Sequence, residues 1–203
     1  MKSPFENMGA GGQGGLTREE LDALKRENAA LKRENAILRA ASRTDPLTGL
    51  ANRRAFDERL RIEIARAGRH GQPLSVVVVD VDDFKRVNDT WGHEKGDEVL
   101  VWVARFLQSQ LRLTDIACRI GGDEFVVILP ATARDGAEAL VGRLRGTLGE
   151  LRATSAHPVN MSFGVAALGP DCATSEALIA AADRAMYATK GRAKQRRLRP
   201  RTA

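Results

Sequence analysis

The hydrophobic pattern changes period several times along this chain. Residues 23–29 read ALKRENA, and residues 30–36 repeat it letter for letter. Leu24, Leu31 and Leu38 share one heptad position, while Leu21, Asn28 and Asn35 share the other core position, which is the a/d seam of a parallel coiled coil. In that register Glu20, Glu27 and Glu34 fall at g, and Lys25, Lys32 and Arg39 at the following e, so each acid meets a base on a partner helix. The two asparagines weaken the seam but favour an in-register pair over slipped or antiparallel ones. A dimerising helix is expected over residues 16–42, preceded by a Gly-rich flexible leader over residues 1–15. Pro46 and Gly49 then interrupt the repeat, and helical spacing resumes through Phe56, Leu60 and Ile64 until residues 68–73.

From Leu74 onward strand and helix signals alternate, which predicts an α/β body. Residues 74–79 read as a buried strand ending at Asp80. Residues 96–111 read as a helix with Val99, Val103, Phe106 and Leu107 on one side. A second apolar strand covers 125–129, a helix 133–151, a strand 159–168 and a last amphipathic helix 175–189. Gly164, inside a strand pattern, marks a bulge or a close approach of another backbone.

Composition narrows the class. With 43% hydrophobic and 29% charged residues over 203 positions, the chain suits one folded domain and a modest appendage. The longest apolar runs, residues 99–104 and 177–182, are six residues each, far below the roughly 20 residues of a membrane span. No secretory signal pattern precedes Leu16, and Cys118 and Cys172 lack metal spacing, so the cytoplasm is the expected compartment. A net charge of +6 suggests nucleic acid, but seven of the bases lie in the last fourteen residues, which hold no acid. Without them the chain carries about one negative charge, and aromatics are only 4%, so no nucleic-acid partner is expected.

Three motifs carry candidate chemistry. Residues 80–85, DVDDFK, put carboxylates directly after a strand, which suits a hard cation such as magnesium. Residues 119–125, RIGGDEF, put two glycines between short strands, a hairpin with type I′ geometry accessible to the pair, followed by Asp123 and Glu124. If the two strands are neighbours, the carboxylate clusters converge on one sheet edge, where a triphosphate and two divalent ions fit. Residues 88–97, NDTWGHEKGD, supply Asn88 and Asp97, whose opposite hydrogen-bonding senses suit a guanine edge. No Walker lysine motif or dinucleotide fingerprint is present. His93 reads as a structural hydrogen-bonder, and Trp91 and Trp102 as packing or surface residues.

Five ordered blocks, RTDPLTGLANRRAF (43–56), DVDDFKRVNDTWGHEKGDEVL (80–100), RIGGDEF (119–125), SFGVA (162–166) and ADRAMYATK (182–190), resemble the GGDEF domain of the diguanylate cyclase family. The resemblance covers about residues 43–194, leaving 195–203 as a basic tail. It implies a palm-like central sheet flanked by helices, related to nucleotide cyclases, that joins two GTP into cyclic di-GMP and two pyrophosphates. By that analogy Asp80, Asp123, Glu124 and the Val81 carbonyl bind Mg2+ or Mn2+, two ions per active half-site. Asp80, Asp123 and Glu124 are then the catalytic set, with Glu124 either coordinating metal or promoting loss of the ribose 3′ proton. Asn88 and Asp97 would read guanine, while Phe84, Lys85, Lys190 and Lys194 would lie along the phosphates.

Each domain then holds one GTP and half of a reaction centre, so the coiled coil of a homodimer belongs to the mechanism. The resemblance also makes Arg112 and Asp115, in the spacing RxxD, an inhibitory product site, with Arg143 a contributor from a second subunit. As bare chemistry, Arg112 and Asp115 could equally form a routine ion pair. The chain departs from the family at Lys194 and Gln195, where Arg-Asn is usual, and a lysine lacks the bidentate fork of arginine. The alternative reading is a catalytically silent GGDEF module that binds GTP or cyclic di-GMP and regulates a partner; the complete acidic set argues against it.

Overall fold

The computed structural model describes residues 18–151 and 159–198. The leader at 1–15 and the end of the tail at 199–203 lie outside the described residues, as do the side chains of residues 191–198, Lys194 and Gln195 included. The chain divides into two compact units, one up to Ser42 and one from Arg43 onward.

The first unit holds one helix, α1 (Arg18–Ala41). Leu24, Leu31 and Leu38 are 49%, 52% and 61% exposed along it, so this stripe is unburied by its own chain. A helix of this length with an exposed seam is stabilised chiefly by packing on another element.

The second unit begins with α2 (Arg53–His70), which has clean ends: Asn52 Oδ1 accepts from Ala55 N–H at 3.1 Å, and Gly71 closes it in the left-handed region at φ 62°. There follow β1 (Leu74–Val81), α3 (Phe84–Trp91), α4 (His93–Gln110), β2 (Ile116–Gly121), β3 (Glu124–Pro130), α5 (Arg134–Leu151), β4 (Met161–Ala167) and α6 (Ser175–Leu198). The four strands form one antiparallel sheet in the order β2-β3-β1-β4. From β1 onward the order is βααββαβα, a βαββαβ core whose first crossover is split into α3 and α4 and which α6 follows.

Both sheet faces are covered. Val77, Val79 and Val81 of β1 pack with Phe125, Val127 and Leu129 of β3 against α3, α4 and α5. Val76 and Val78 pack with Val126 and Ile128 against α2 and α6, through Phe56, Leu60, Leu178, Ala182 and Met186. A strand buried on both faces needs no polar alternation, which explains the unbroken valine run.

Two expectations are revised, and one left between two alternatives is decided. The pattern assigned no helix between Asp80 and Gly96, yet α3 fills 84–91 and α4 starts at His93; α3 is eight residues long and buries only Val87, too little for a visible period. The hairpin turn is Gly122-Asp123, because a bulge between Arg119 and Gly121 lets Gly121 pair with Glu124. Of these two only Gly122 has positive φ, at 43°, which rules out type I′ geometry, since that needs both central residues positive. Gly164 is no bulge: β1 and β4 stay in register through it. It is a close approach, since a Cβ there would lie 2.0 Å from the Ala182 carbonyl oxygen of α6.

Candidate active site

The antiparallel pairing of β1 and β3 sets Asp80 opposite Glu124. Beyond the last pair, Val81 N–H donates to the Asp123 carbonyl at 3.3 Å, so Asp123 is held at the same end of the sheet. β4 flanks the other side of β1, with Ser162 opposite Asp80. Two acidic segments far apart in sequence therefore meet on one edge.

α6 brings a cation to them. Lys190 Nζ lies 2.5 Å from Asp80 Oδ1 and 3.8 Å from Asp82 Oδ1. Asp82 is fixed by Ser162 Oγ, which donates to its Oδ1 at 2.6 Å, and its own N–H donates to the Asn160 carbonyl at 2.9 Å. The side chain of Asp80 is only 16% exposed. The reach of Lys190 depends on how closely α6 sits on β4 at Gly164, because α6 carries it.

Charges at this edge press on one another. Burial, then the fields of Asp80, Asp123 and Asp183, push the Glu124 carboxyl above its ordinary range. Burial also raises the Asp183 carboxyl, against the opposing field of Arg53. For Lys190 burial favours the neutral amine, but the Asp80 hydrogen bond and the fields of Asp80, Asp82 and Asp123 outweigh it and hold the ammonium more firmly. Among the described residues no group of three or more His, Cys, Asp or Glu is gathered to hold a metal ion. The donor set is nonetheless all oxygen, and an ammonium sits against it as a stand-in cation. Magnesium takes one or two carboxylates and completes its shell with water and phosphate, so these residues fit it.

The hairpin tip is anchored from outside. Arg119 Nε and Nη2 donate to the Gly122 carbonyl at 3.0 and 2.8 Å, while Nη1 donates to both oxygens of Asp45 in the DPLT turn. Asp83, between β1 and α3, stands in the left-handed region at φ 57°, a conformation uncommon for a residue with a Cβ. Phe84 is half-buried against the core, and Lys85 is exposed on the first turn of α3.

Gly96 of α4, the residue before Asp97, faces the Asn88 carboxamide of α3. Asp97 also lines an open cleft of about 490 Å3 with Leu47, Glu94, Glu98, Val101, Trp102 and Arg105. Trp102 is stacked on Phe106 at 5.5 Å between ring centroids, a packing role, and Trp91 is exposed.

A third cluster lies at the other end of α4. Arg112 N–H donates to Asp115 Oδ2 at 2.9 Å, and Asp115 N–H returns to the Arg112 carbonyl at 3.0 Å. The pair is thus joined through backbone, and no ion pair between their side chains is present among the described residues. Arg143 of α5 donates to the Gln110 carbonyl at 2.6 Å, which sets it beside this turn in the same chain.

Sequence reasoning missed Asp82, Arg53 and Asp183. Asp183 was accessible, since it stands seven residues before Lys190 and shares its helix face. Arg53 was not, because its place beside Glu124 and Asp183 depends on the packing of α2 and α6.

The profile described as "Diguanylate cyclase, GGDEF domain" matches residues 42–196. The chain belongs to the GGDEF family. Diguanylate cyclase DgcP of Pseudomonas aeruginosa is 38% identical over 178 residues, 85% of this chain and 26% of that protein. Response regulator PleD of Caulobacter vibrioides is 43% identical over 152 residues, 72% of this chain and 34% of that protein. The chain spans about a quarter to a third of the length of these two GGDEF relatives. Among solved structures, the coiled coil and GGDEF domain of DgcB from Caulobacter crescentus, in complex with c-di-GMP, superposes with a TM-score of 0.68 at 32% identity, covering 84% of this chain and 92% of that one. Diguanylate cyclase SiaD from Pseudomonas aeruginosa, in complex with its activator SiaC, gives 0.67 at 39% identity, covering 85% and 68%. The GGDEF fold of a central antiparallel sheet flanked by helices is the one described above. No helix of the described residues is long and apolar enough to cross a membrane.

Proposed function

We propose that this chain is a diguanylate cyclase, condensing two GTP into cyclic di-GMP and two pyrophosphates across a homodimer. The observation that carries the reading is the pairing of Asp80 with Glu124 across β1 and β3, with Asp123 and Lys190 at the same edge.

Asp80, Asp123, Glu124 and the Val81 carbonyl hold Mg2+ or Mn2+, two ions per half-site. When bound, the ions supply positive charge that lowers the pKa of the attacking hydroxyl and offsets charge on the phosphoryl oxygens. Asn88 and Asp97 orient the guanine, and Phe84, Lys85, Lys190 and Lys194 line the phosphates. Lys190 serves both states: it neutralises Asp80 before substrate arrives and can turn its ammonium to phosphate afterwards. The 3′-oxygen of one GTP attacks the α-phosphorus of the other, its proton leaves, and pyrophosphate departs. A second attack in the opposite sense closes the ring. Glu124 either coordinates metal or takes the 3′ proton, the second role being the one its raised proton affinity favours where no ion sits on it.

Two half-sites must face each other, and the exposed leucine stripe of α1 supports pairing through residues 16–42. Arg112, Asp115 and Arg143 form the site where product binds and inhibits. We place the protein in the cytoplasm, where GTP is available, and divide it as leader 1–15, coiled coil 16–42, catalytic domain 43–194 and tail 195–203.

The test is incubation of the dimer with GTP and magnesium followed by separation of nucleotides. Cyclic di-GMP forms with the unaltered protein and is lost in Asp123→Asn, which remains dimeric. A verified dimer that makes none overturns the reading.

A further inference from the structure

Gly96 lies inside α4, one turn after its start at His93, where glycine weakens a helix relative to alanine. Nothing in its backbone demands it, since its φ lies outside the left-handed region. What demands it is a neighbour. A Cβ at position 96 would lie 1.9 Å from Asn88 Oδ1, a distance that no real contact reaches, and a tight 3.0 Å from Asn88 Cγ. The other near atom, Phe84 Cζ at 3.2 Å, needs to yield only a few tenths of an ångström. The missing methyl therefore makes room for one group, the Asn88 carboxamide.

That carboxamide has no hydrogen-bond partner among the described residues, although Asn88 is half-buried. A polar group kept in place and left unbonded is set up for a ligand. The next residue after Gly96 is Asp97, so one point on α4 supplies both the second purine-reading group and the seat of the first.

We infer that Gly96 is a positioning residue for guanine recognition: the absence of its side chain holds the Asn88 carboxamide where it meets the base. This inference rests on the guanine-reading role proposed above for Asn88 and Asp97. The Cβ of Gly96→Ala displaces the carboxamide by rotation about the Asn88 side chain, leaving the helices in place and the base short of one hydrogen-bonding group.

The experiment is a double-mutant cycle on the dimeric protein, comparing Gly96→Ala, Asn88→Ala and the double substitution. KM for GTP, kcat and the thermal midpoint are read for each, with equilibrium GTP binding alongside. Gly96→Ala alone is expected to raise KM by about tenfold, similar to Asn88→Ala, with a smaller fall in kcat. In the Asn88→Ala background the same glycine substitution should leave KM unchanged and raise the thermal midpoint, because the obstructing group has gone and alanine favours helix. An unchanged KM in Gly96→Ala overturns the inference. So does an equal loss, of KM or of folding, in both backgrounds, since the effect would then not pass through Asn88. Unaltered protein that neither binds nor converts GTP overturns the functional reading; protein that does both, while tolerating Gly96→Ala, overturns this inference alone.

Discussion

Arg119 and Asp45 stand 74 positions apart in sequence, yet Arg119 Nη1 donates to both oxygens of the Asp45 carboxylate, at 3.1 and 3.3 Å. The same guanidinium grips the Gly122 carbonyl, so the DPLT turn and the tip of the acidic hairpin are one assembly. Thr48 adds two more donors to Asp45, from its backbone N–H at 2.9 Å and its hydroxyl at 2.6 Å. Asp45 is thereby a structural keystone for the acidic hairpin.

This arrangement has a pH signature. Burial alone would raise the Asp45 carboxyl, but the hydrogen bonds from Thr48 and Arg119 outweigh it and hold it below the ordinary carboxylate range. A depressed folded-state pKa means stability that is present above the unfolded value, about pH 4, and lost as pH falls through the folded one. Asp45→Asn should therefore be less stable than the unaltered protein at pH 7, with the difference shrinking as pH falls through the depressed folded-state value. Denaturant midpoints across that window measure the difference.

The contact of Gly164 with α6 predicts a coupled loss. A Cβ there would meet backbone, 2.0 Å from the Ala182 oxygen and 2.6 Å from the Met186 nitrogen, so the helix itself must move. Gly164→Ala should cost about 2 kcal/mol of stability and reduce turnover, because Lys190 is carried away from Asp80. Chemical denaturation and cyclic di-GMP formation measure the two effects.

The turn holding the proposed product site separates two substitutions. The bond to Asp115 Oδ2 comes from the backbone of Arg112, so Arg112→Ala keeps the turn while removing the guanidinium. It should stay as stable as the unaltered protein and lose product inhibition. Asp115→Ala should lose inhibition as well, but with about 1 kcal/mol less stability. Progress curves with added cyclic di-GMP, beside thermal melts, distinguish the pair.

Pairing through the stripe of α1, as proposed, makes the reaction depend on concentration. Replacing Leu24, Leu31 and Leu38 by serine removes the seam but touches nothing buried by its own chain. Activity per chain should fall at low protein concentration and recover as concentration rises. Sedimentation velocity in parallel should show monomer where activity is lost.

Much of this protein was legible residue by residue. The ALKRENA repeat marked α1, and the valine run marked β1, because helix and strand periods are local properties. The acidic pairs were legible too, as carboxylates after strands. Short elements were not: α3 buries one side chain, and β2 is an edge strand with a single buried residue, so neither leaves a periodic trace. The turn type at the hairpin was misjudged because the bulge between Arg119 and Gly121, which sets the register, arises from pairing.

By itself, then, the sequence determined which chemistry was available: oxygen donors, a guanine-suited Asn88 and Asp97, a basic Lys190, and a helix built to pair. Only the tertiary structure decided which groups meet. Antiparallel register sets Asp80 against Glu124, a missing side chain at Gly164 brings α6 close enough for Lys190 to reach Asp80, and another at Gly96 seats Asn88. The reason is physical. Periodicity and charge belong to neighbours along the chain, whereas register and close approach are settled by packing between segments that the chain keeps far apart.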